Sequence, residues 1–352
     1  MSKIKVAVIG CGKIANDEHI PAYMNSELGE IKYFCDIIPE RADAAVAKYG
    51  VGKAVYNHRD ILDDPEITAV SVCTPNMQHK IVAVDFLRAG KHVLCEKPAA
   101  RTYAEAVEMQ KVQHETGKIL NIGVVNRFNT AVNLIKKRID AGELGEIYQV
   151  YVDFRAHRSI PGLGGDFTTH AVAGGGVLID WGVHYLDLVM YCLGDPLPKT
   201  ASGHAHQRLG VDMKDYVYDF MWAGPPKFDG TYDVEDFITG LVRTQGPTIS
   251  LNGAWAQNIG AAGQYVDFMG TKAGIRLQYG GNFTVYGVRD GKLFEETPEF
   301  EAENMFQNEI DSFLRCTQTG EKLPSHIDTV VITSRIMQGL YDSSEQGKEV
   351  AF

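Results

Sequence analysis

The chain has 352 residues, enough for two domains with cores of their own, and its 45% hydrophobic and 22% charged content is ordinary for a globular protein. A formal net charge of −11 argues against nucleic acid or anionic membrane as a partner, since both need basic patches. No apolar run approaches a membrane span, Met1-Ser2-Lys3 leads into a strand without a signal-peptide pattern, and six scattered cysteines lack C-x-x-C spacing. A reduced, cytoplasmic setting is the expectation, with the thiols as small apolar filler.

The first predicted element is the apolar run Val6-Ala7-Val8-Ile9, a strand buried on both faces as in a parallel sheet. It runs into Gly10-Cys11-Gly12-Lys13-Ile14-Ala15. Gly10 permits a tight turn, Gly12 a close approach of backbone to a pyrophosphate, and the small Ala15 close packing of the following helix. The helix N-terminus offers free N–H groups to phosphate. Such turns are common between strands and helices, so the motif alone leaves cofactor binding open. Asn16 to Pro21 is expected to interrupt the first helix, which Pro21 restarts. The second strand, from Ile31, ends on Asp36. Alone, Asp36 reads as a solvated strand end; behind a glycine turn it reads as the acceptor for both ribose hydroxyls of an adenosine. Ile37 and Ile38 carry no charge for a 2′-phosphate, and Arg41, within reach in principle, lies in the next helix, so NAD is preferred to NADP.

Strand–helix alternation continues. Pro39 opens a helix that Gly50 ends. Strands follow at 69–74, 92–98 and 119–125, with a helix before Gly90 and another opened by Pro98 or Thr102. This predicts a doubly wound parallel sheet whose ligand lies at the carboxyl ends of the strands. Asp36, Thr74-Pro75-Asn76, Glu96-Lys97-Pro98 and Asn126-Arg127 cluster at those ends, which points to a dinucleotide.

From Ile147 the pattern changes to period two. Tyr148, Val150, Val152 and Phe154 fall on one face; Gln149, Tyr151, Asp153, Arg155 and His157 fall on the other. Further strands are expected at 236–244, 248–257, 265–270, 274–279 and 283–287, and helices at 304–319 and 328–346. The fold class is therefore α/β: an N-terminal Rossmann domain, residues 1–124, and a C-terminal α+β domain, residues 125–352, with an open, mainly antiparallel sheet. Within it, Gly174-Gly175-Gly176 precedes an apolar helix carrying Asp180, His184 and Asp187. Asp180 and His184, four apart, share a face. They read either as a carboxylate tuning an imidazole for proton transfer or as a capping Asp with a satisfied core histidine. Arg155, His157, Arg158 and His170 suit a polyol or carboxylate, or a solvated loop. His204 and His206 lack a nearby carboxylate or thiolate, so no metal is assigned. The loop around Trp222 receives no role.

Together these residues resemble the Gfo/Idh/MocA family of oxidoreductases. The resemblance runs the length of the chain and is carried by G-C-G-K-I-A at Gly10–Ala15, Asp36, T-P-N-M-Q-H at Thr74–His79, E-K-P at Glu96–Pro98, N-R-F at Asn126–Phe128, and G-G-G-V-L-I-D-W-G-V-H at Gly174–His184. The segment Asp233–Phe237 resembles a recurrent piece of the second domain. The resemblance implies an NAD-dependent enzyme moving hydride between nicotinamide and a secondary alcohol of a sugar, sugar derivative or cyclitol. Lys97 would hydrogen-bond the reacting hydroxyl, His184 would take its proton, and Asp180 would position His184 or share a substrate hydroxyl. Gly10, Gly12, Lys13, Ile14, Asp36, Arg41, Thr74, Pro75, Asn76, His79, Glu96, Lys97 and Asn126 would meet the cofactor. Lys97, Arg127, Arg155, His157, Asp180 and His184 would meet the substrate. The family also contains redox-neutral NAD-dependent glycosidases and non-catalytic NAD-binding regulators. A homodimer or homotetramer, formed through the open sheet, is the implied assembly.

Overall fold

The opening apolar run forms strand β1 (Ile4–Ile9), buried except for a half-buried Lys5. In the computed structural model, which describes residues 3–260 and 263–352, β1 lies inside a six-stranded sheet. The others are β2 (Gly29–Cys35), β3 (Lys53–Val55), β4 (Ala69–Val72), β5 (His92–Glu96) and β6 (Leu120–Gly123), in the order 3-2-1-4-5-6. Every pairing is parallel. Helices α1 (Ile20–Asn25), α2 (Pro39–Tyr49), α3 (Asn76–Arg88) and α4 (Tyr103–Thr116) alternate with the strands, as a doubly wound sheet requires. Their ends follow local chemistry. Pro39 sits in the first turn of α2 and Gly50, at φ +68°, closes it. The Thr102 hydroxyl accepts the Glu105 N–H and so caps α4.

Strand order reverses between β1 and β4, which opens a crevice beyond their carboxyl ends. Gly10 turns the chain there at φ +93°, and a Cβ on it would lie 2.4 Å from the Cys73 carbonyl oxygen after β4. Only glycine fits. A Cβ on Gly12 would meet no described atom within 4 Å, so protein packing does not require that glycine. The expected interruption of the first helix takes another form: Ala15–His19 make a π-helical turn that runs unbroken into α1, with Pro21 in its first turn. Proline lacks an N–H, a loss that the first turn of a helix tolerates.

The second sheet contains β7 (Ile147–Arg155), β8 (Pro198–His206), β9 (Phe237–Thr244), β10 (Thr248–Ala254), β11 (Gly263–Gly270), β12 (Ala273–Gln278), β13 (Phe283–Arg289), β14 (Lys292–Glu296) and β15 (Val350–Ala351). Their order is 14-13-12-11-7-10-9-8-15, antiparallel except between β7 and β10. Val150, Val152 and Phe154 are buried in one core with Leu186, Val189 and Met190 of the apolar helix. Tyr148 shares their side by alternation but remains exposed at the start of the strand, and Tyr151 is exposed on the other side. The period-two reading therefore holds for Val150, Tyr151, Val152 and Phe154, whereas Asp153, expected on the other face, is buried too. By length and composition alone, the helical stretch His170–Leu193 would cross a membrane; most of it is buried inside the fold, as a core helix is.

In this unit the helices are α5 (Thr130–Asp140), α6 (His170–Ala173) and α7 (Val183–Leu193); α8 (Met305–Thr319) and α9 (Ile327–Gln346) follow. The chain forms two compact units, and they do not coincide with one crossing at residues 124/125. Residues up to Phe128 belong to the first, but Glu303–Val331 returns to it. Ile310, Phe313 and Leu314 of α8 are buried there among Ile4, Val6 and Tyr23, and that apolar contact brings the segment back. All six cysteines are buried, and none of them forms a disulfide. Burial, reinforced by the Asp36 charge, pushes Cys11 and Cys35 up to about 12, so these thiols are inert filler at neutral pH.

The two turn glycines separate in their consequences. Gly10→Ala should lower the unfolding midpoint by roughly 5–10 °C, given a clash costing about 3 kcal/mol. Gly12→Ala should leave it within about 1 °C, both read by calorimetry.

Candidate active site

The carboxyl end of the first sheet is built from backbone amides and buried carboxylates. Asp36, 7% exposed, accepts the Cys11 N–H on Oδ2 and the Ile38 N–H on Oδ1, each at 2.9 Å. The carboxylate at the tip of β2 is thereby fastened to the glycine turn. Asn16 donates to the Cys11 and Gly12 carbonyls at 2.8 and 3.0 Å, which fixes the turn from the helix side. Lys13 is exposed and paired with Asp17; Ile14 is half-buried. Arg41 is exposed on the first turn of α2.

A dinucleotide fits this end of the sheet on two observations. The space beside Gly12 that a Cβ would enter is free of described atoms, and the buried Thr74 Oγ1 has no hydrogen-bond partner among the described residues. Pro75 and Asn76 start α3 beside it. His79 lies beneath, 1% exposed, with its ring nitrogens 2.7 Å from the Pro98 carbonyl and 2.9 Å from that of Thr74. Burial outweighs those two carbonyls and holds its pKa below the ordinary value. The ring braces the turns after β4 and β5 against each other.

Glu96 ends β5. Its Oε2 accepts the N–H of Lys97 at 3.0 Å, and its Oε1 lies 2.7 Å from His19 Nε2. His19 is fully buried, and its other nitrogen lies 3.4 Å from Ser71 Oγ. Burial opposes charge on the ring, but the Cys73 sulfur and the Glu96 carboxylate outweigh it and raise the pKa to about 10. Burial likewise opposes charge on Glu96, and His19 and Lys97 overcome it, so that carboxyl titrates below its usual range. The two form a buried ion pair. Close by, Glu309 of α8 is 1% exposed, and neither carboxyl oxygen has a hydrogen-bond partner among the described residues. Burial and then the charge of Glu96 push its carboxyl well up, so it is held neutral. Sequence reasoning missed both His19 and Glu309: one lies in the stretch expected to break a helix, and the other looks like an ordinary helix residue.

After β6, Asn126 and Arg127 are buried in a short 3-10 turn. The Arg127 guanidinium donates to the Pro324 carbonyl at 2.9 Å and to Thr329 Oγ1 at 3.3 Å, tying the start of α9 to this turn.

In the second unit, the three glycines lead into a π-helical turn, Leu178–Gly182, continuous with α7. Asp180 is buried on that turn and His184 is half-buried one turn later. Glu235 holds the start of this helix: its Oε2 accepts the Gly176 N–H at 2.8 Å, and its Oε1 accepts the Leu178 N–H at 3.0 Å and the Tyr341 hydroxyl at 2.8 Å. A Cβ on Gly176 would lie 1.9 Å from the Glu235 carbonyl oxygen, and one on Gly175 2.2 Å from the Tyr341 hydroxyl. The glycines are there so that this carboxylate and phenol can reach the helix N-terminus. Further along, Asp187 accepts the Thr333 hydroxyl at 3.1 Å.

Arg155 makes a two-pronged pair with Asp153, its Nε and Nη2 2.6–3.0 Å from the carboxylate oxygens. His157 is half-buried, and its carbonyl accepts the Gln257 N–H at 2.8 Å. The stretch 155–170 is packed onto the loop around Trp222: Phe167 and Trp222 meet edge to face at 4.7 Å, and Lys227 N–H donates to the Leu163 carbonyl at 2.8 Å. The stretch 155–170 and the Trp222 loop, which had no role from sequence, thus pack together. His204 and His206 meet edge to face at 4.3 Å, and no metal-binding cluster occurs among the described residues.

Residues 4–124 match the oxidoreductase family with an NAD-binding Rossmann fold, and residues 132–276 match the GFO/IDH/MocA C-terminal domain. The chain belongs to the Gfo/Idh/MocA family of NAD-binding oxidoreductases, and its cofactor is NAD. It is 30% identical to D-glucoside 3-dehydrogenase of Escherichia coli (strain K12), over 99% of this chain and 97% of that protein. It is 27% identical to scyllo-inositol 2-dehydrogenase (NAD(+)) of Bacillus subtilis (strain 168), over 91% of this chain and 87% of that one. Among solved structures, levoglucosan dehydrogenase in complex with NADH and levoglucosan has the same fold, with a TM-score of 0.87, 20% identity and 99% of each chain covered.

The His19 pair sets a pH dependence. The imidazole takes up its proton near 6.5 in the unfolded chain and near 10 in the folded one, so the folded state binds the extra proton between those values. The contribution of His19 is fully present below 6.5 and is lost as pH rises through 10. The unfolding midpoint should therefore fall between pH 7 and 10, and less steeply in His19→Gln, by calorimetry at matched ionic strength. A methyl at Gly12 should weaken NADH binding at least about 10-fold by fluorescence titration, since each 1.4 kcal/mol of lost contact is tenfold.

Proposed function

We propose that the protein oxidises a secondary alcohol of a sugar, sugar derivative or cyclitol. The observation that carries the reading is an ammonium, a carboxylate and an imidazole (Lys97, Asp180 and His184), each held by a fixed strand or helix end, in an NAD-binding oxidoreductase. NAD, when bound, takes up or returns the hydride. Asp36 would accept the adenosine ribose hydroxyls, with the glycine turn at the phosphates. Thr74, Pro75, Asn76, His79, Glu96 and Asn126 would flank the remainder. Lys97 Nζ donates to the reacting hydroxyl oxygen and favours its alkoxide, and His184 removes the hydroxyl proton. Asp180 orients the imidazole or holds a neighbouring hydroxyl. In the reverse direction His184 returns the proton. A homo-oligomer built through the open face of the second sheet, where Tyr151 is exposed, accompanies this reading.

The full-length likeness to a glucoside dehydrogenase supports a glycoside or cyclitol as the substrate class. The test is absorbance at 340 nm with NAD and a panel of methyl β-D-glucopyranoside, glucose, myo-inositol, scyllo-inositol and aryl glycosides. NADH formation with one class is the expected result. Cleavage of an aryl glycoside without net NADH would replace this reading with a redox-neutral glycosidase, and silence with NAD bound would favour a regulator. Lys97→Ala should lower kcat at least about 10³-fold while NADH affinity stays within about threefold. Undiminished turnover in that variant would overturn the catalytic role of Lys97.

A further inference from the structure

We propose that His19 is a positioning residue for Lys97, acting through Glu96. The inference rests on the catalytic role proposed for Lys97 and adds a residue from the first helix to it.

The contacts form a short chain. His19 Nε2 lies 2.7 Å from Glu96 Oε1, and Glu96 Oε2 takes the backbone N–H of Lys97 at 3.0 Å. The two oxygens of the carboxylate therefore act separately. Oε2 fixes the peptide that carries Lys97, and Oε1 is itself fixed by His19. A Cβ on Gly123 of β6 would lie 3.1 Å from Glu96 Oε1, so glycine at that place on the neighbouring strand leaves this oxygen the room it occupies. The groups around the pair are the Cys73 thiol, the Ser71 and Tyr23 hydroxyls, which bond to each other at 2.7 Å, and the neutral Glu309. Apart from Lys97, whose charge also favours the carboxylate, none of these neighbours brings a positive charge to Glu96. His19 does, from a fully buried position.

Without the imidazole, the buried carboxylate would lose its strongest partner, which destabilises its charged form in that position. It would protonate or turn, and the Lys97 amide would lose its acceptor. The π-helical turn Ala15–His19 has the same sense. Single π turns inside helices recur at functional sites, and this one ends on the residue that reaches Glu96. It connects the turn that follows β1 to the residue that follows β5.

The experiment compares His19→Ala and His19→Gln with the parent, the glutamine amide being able to donate to Glu96. After reductive ¹³C-methylation, the Lys97 dimethylamino resonance is assigned by its absence in Lys97→Arg. NADH affinity and kcat are measured on the panel member turned over fastest. His19→Ala should move the Lys97 resonance and lower kcat about 10–100-fold, with NADH affinity within about threefold; displacements near 1 Å have such effects on rate. His19→Gln should restore the resonance and most of kcat. Folded His19→Ala with an unmoved resonance, or with parental kcat, would overturn the proposal, as would His19→Gln being as defective as His19→Ala. If His19→Ala does not fold, the glutamine variant decides alone: parental resonance and near-parental kcat uphold the role, and loss of either overturns it. Lys97→Ala keeps the two readings apart. Loss of turnover there with a parental His19→Ala refutes only the His19 role, whereas undiminished turnover in Lys97→Ala refutes the catalytic assignment itself.

Discussion

Backbone N–H groups left over at strand and helix ends must find acceptors, and in this protein buried carboxylates supply them at several of the ends that bear candidate functional residues. Asp36 takes the amides of Cys11 and Ile38, Glu96 that of Lys97, and Glu235 those of Gly176 and Leu178. Asp236 does the same for Arg208, Leu209 and Gly210, with the Tyr232 hydroxyl as a fourth donor. Charge-assisted bonds of this kind are the stronger sort, and a buried carboxylate persists only where such donors surround it. The arrangement fixes loops that would otherwise move. It also leaves the side chains of Lys97, Asp180 and His184 on anchored backbone.

The glycines divide by the same logic. Gly10, Gly175 and Gly176 are required by protein atoms that would collide with a side chain. Gly12 meets no such atom, and its lack of a Cβ makes sense only toward something the protein binds. A glycine explained by packing and a glycine unexplained by it carry different information, although the motif spells them alike.

Much of the first unit was legible along the chain. Buried parallel strands read as continuous apolar runs, Pro39, Gly50 and Thr102 mark helix ends through local backbone chemistry, and polar residues recur at the carboxyl ends of strands. In the second unit, the alternation of Val150, Val152 and Phe154 disclosed a half-exposed sheet. The strand Pro198–His206 was not visible because its small and polar residues, including Ser202 and Gly203, have no strand pattern of their own; pairing with β9 and β15 makes them a strand. The helix Thr130–Asp140 escaped notice although Asn129 caps it and Ala131, Val132 and Ile135 form its buried side. Its cap and apolar spacing were there to be read.

By itself the sequence determined the strand–helix alternation, the glycine turn, the acidic end of β2 and the positions of Lys97, Asp180 and His184, because each depends on neighbours within a few residues. Tertiary structure alone decided that His19 meets Glu96 from 77 positions away, that Glu235 caps a helix beginning nearly 60 residues earlier, and that α8 returns to the first unit. It also decided that Arg155 is matched with Asp153 and that Arg127 ties down the start of α9. Such contacts depend on which buried charges end up side by side. Desolvation makes an unpaired one costly, but no local pattern records which partner it will have.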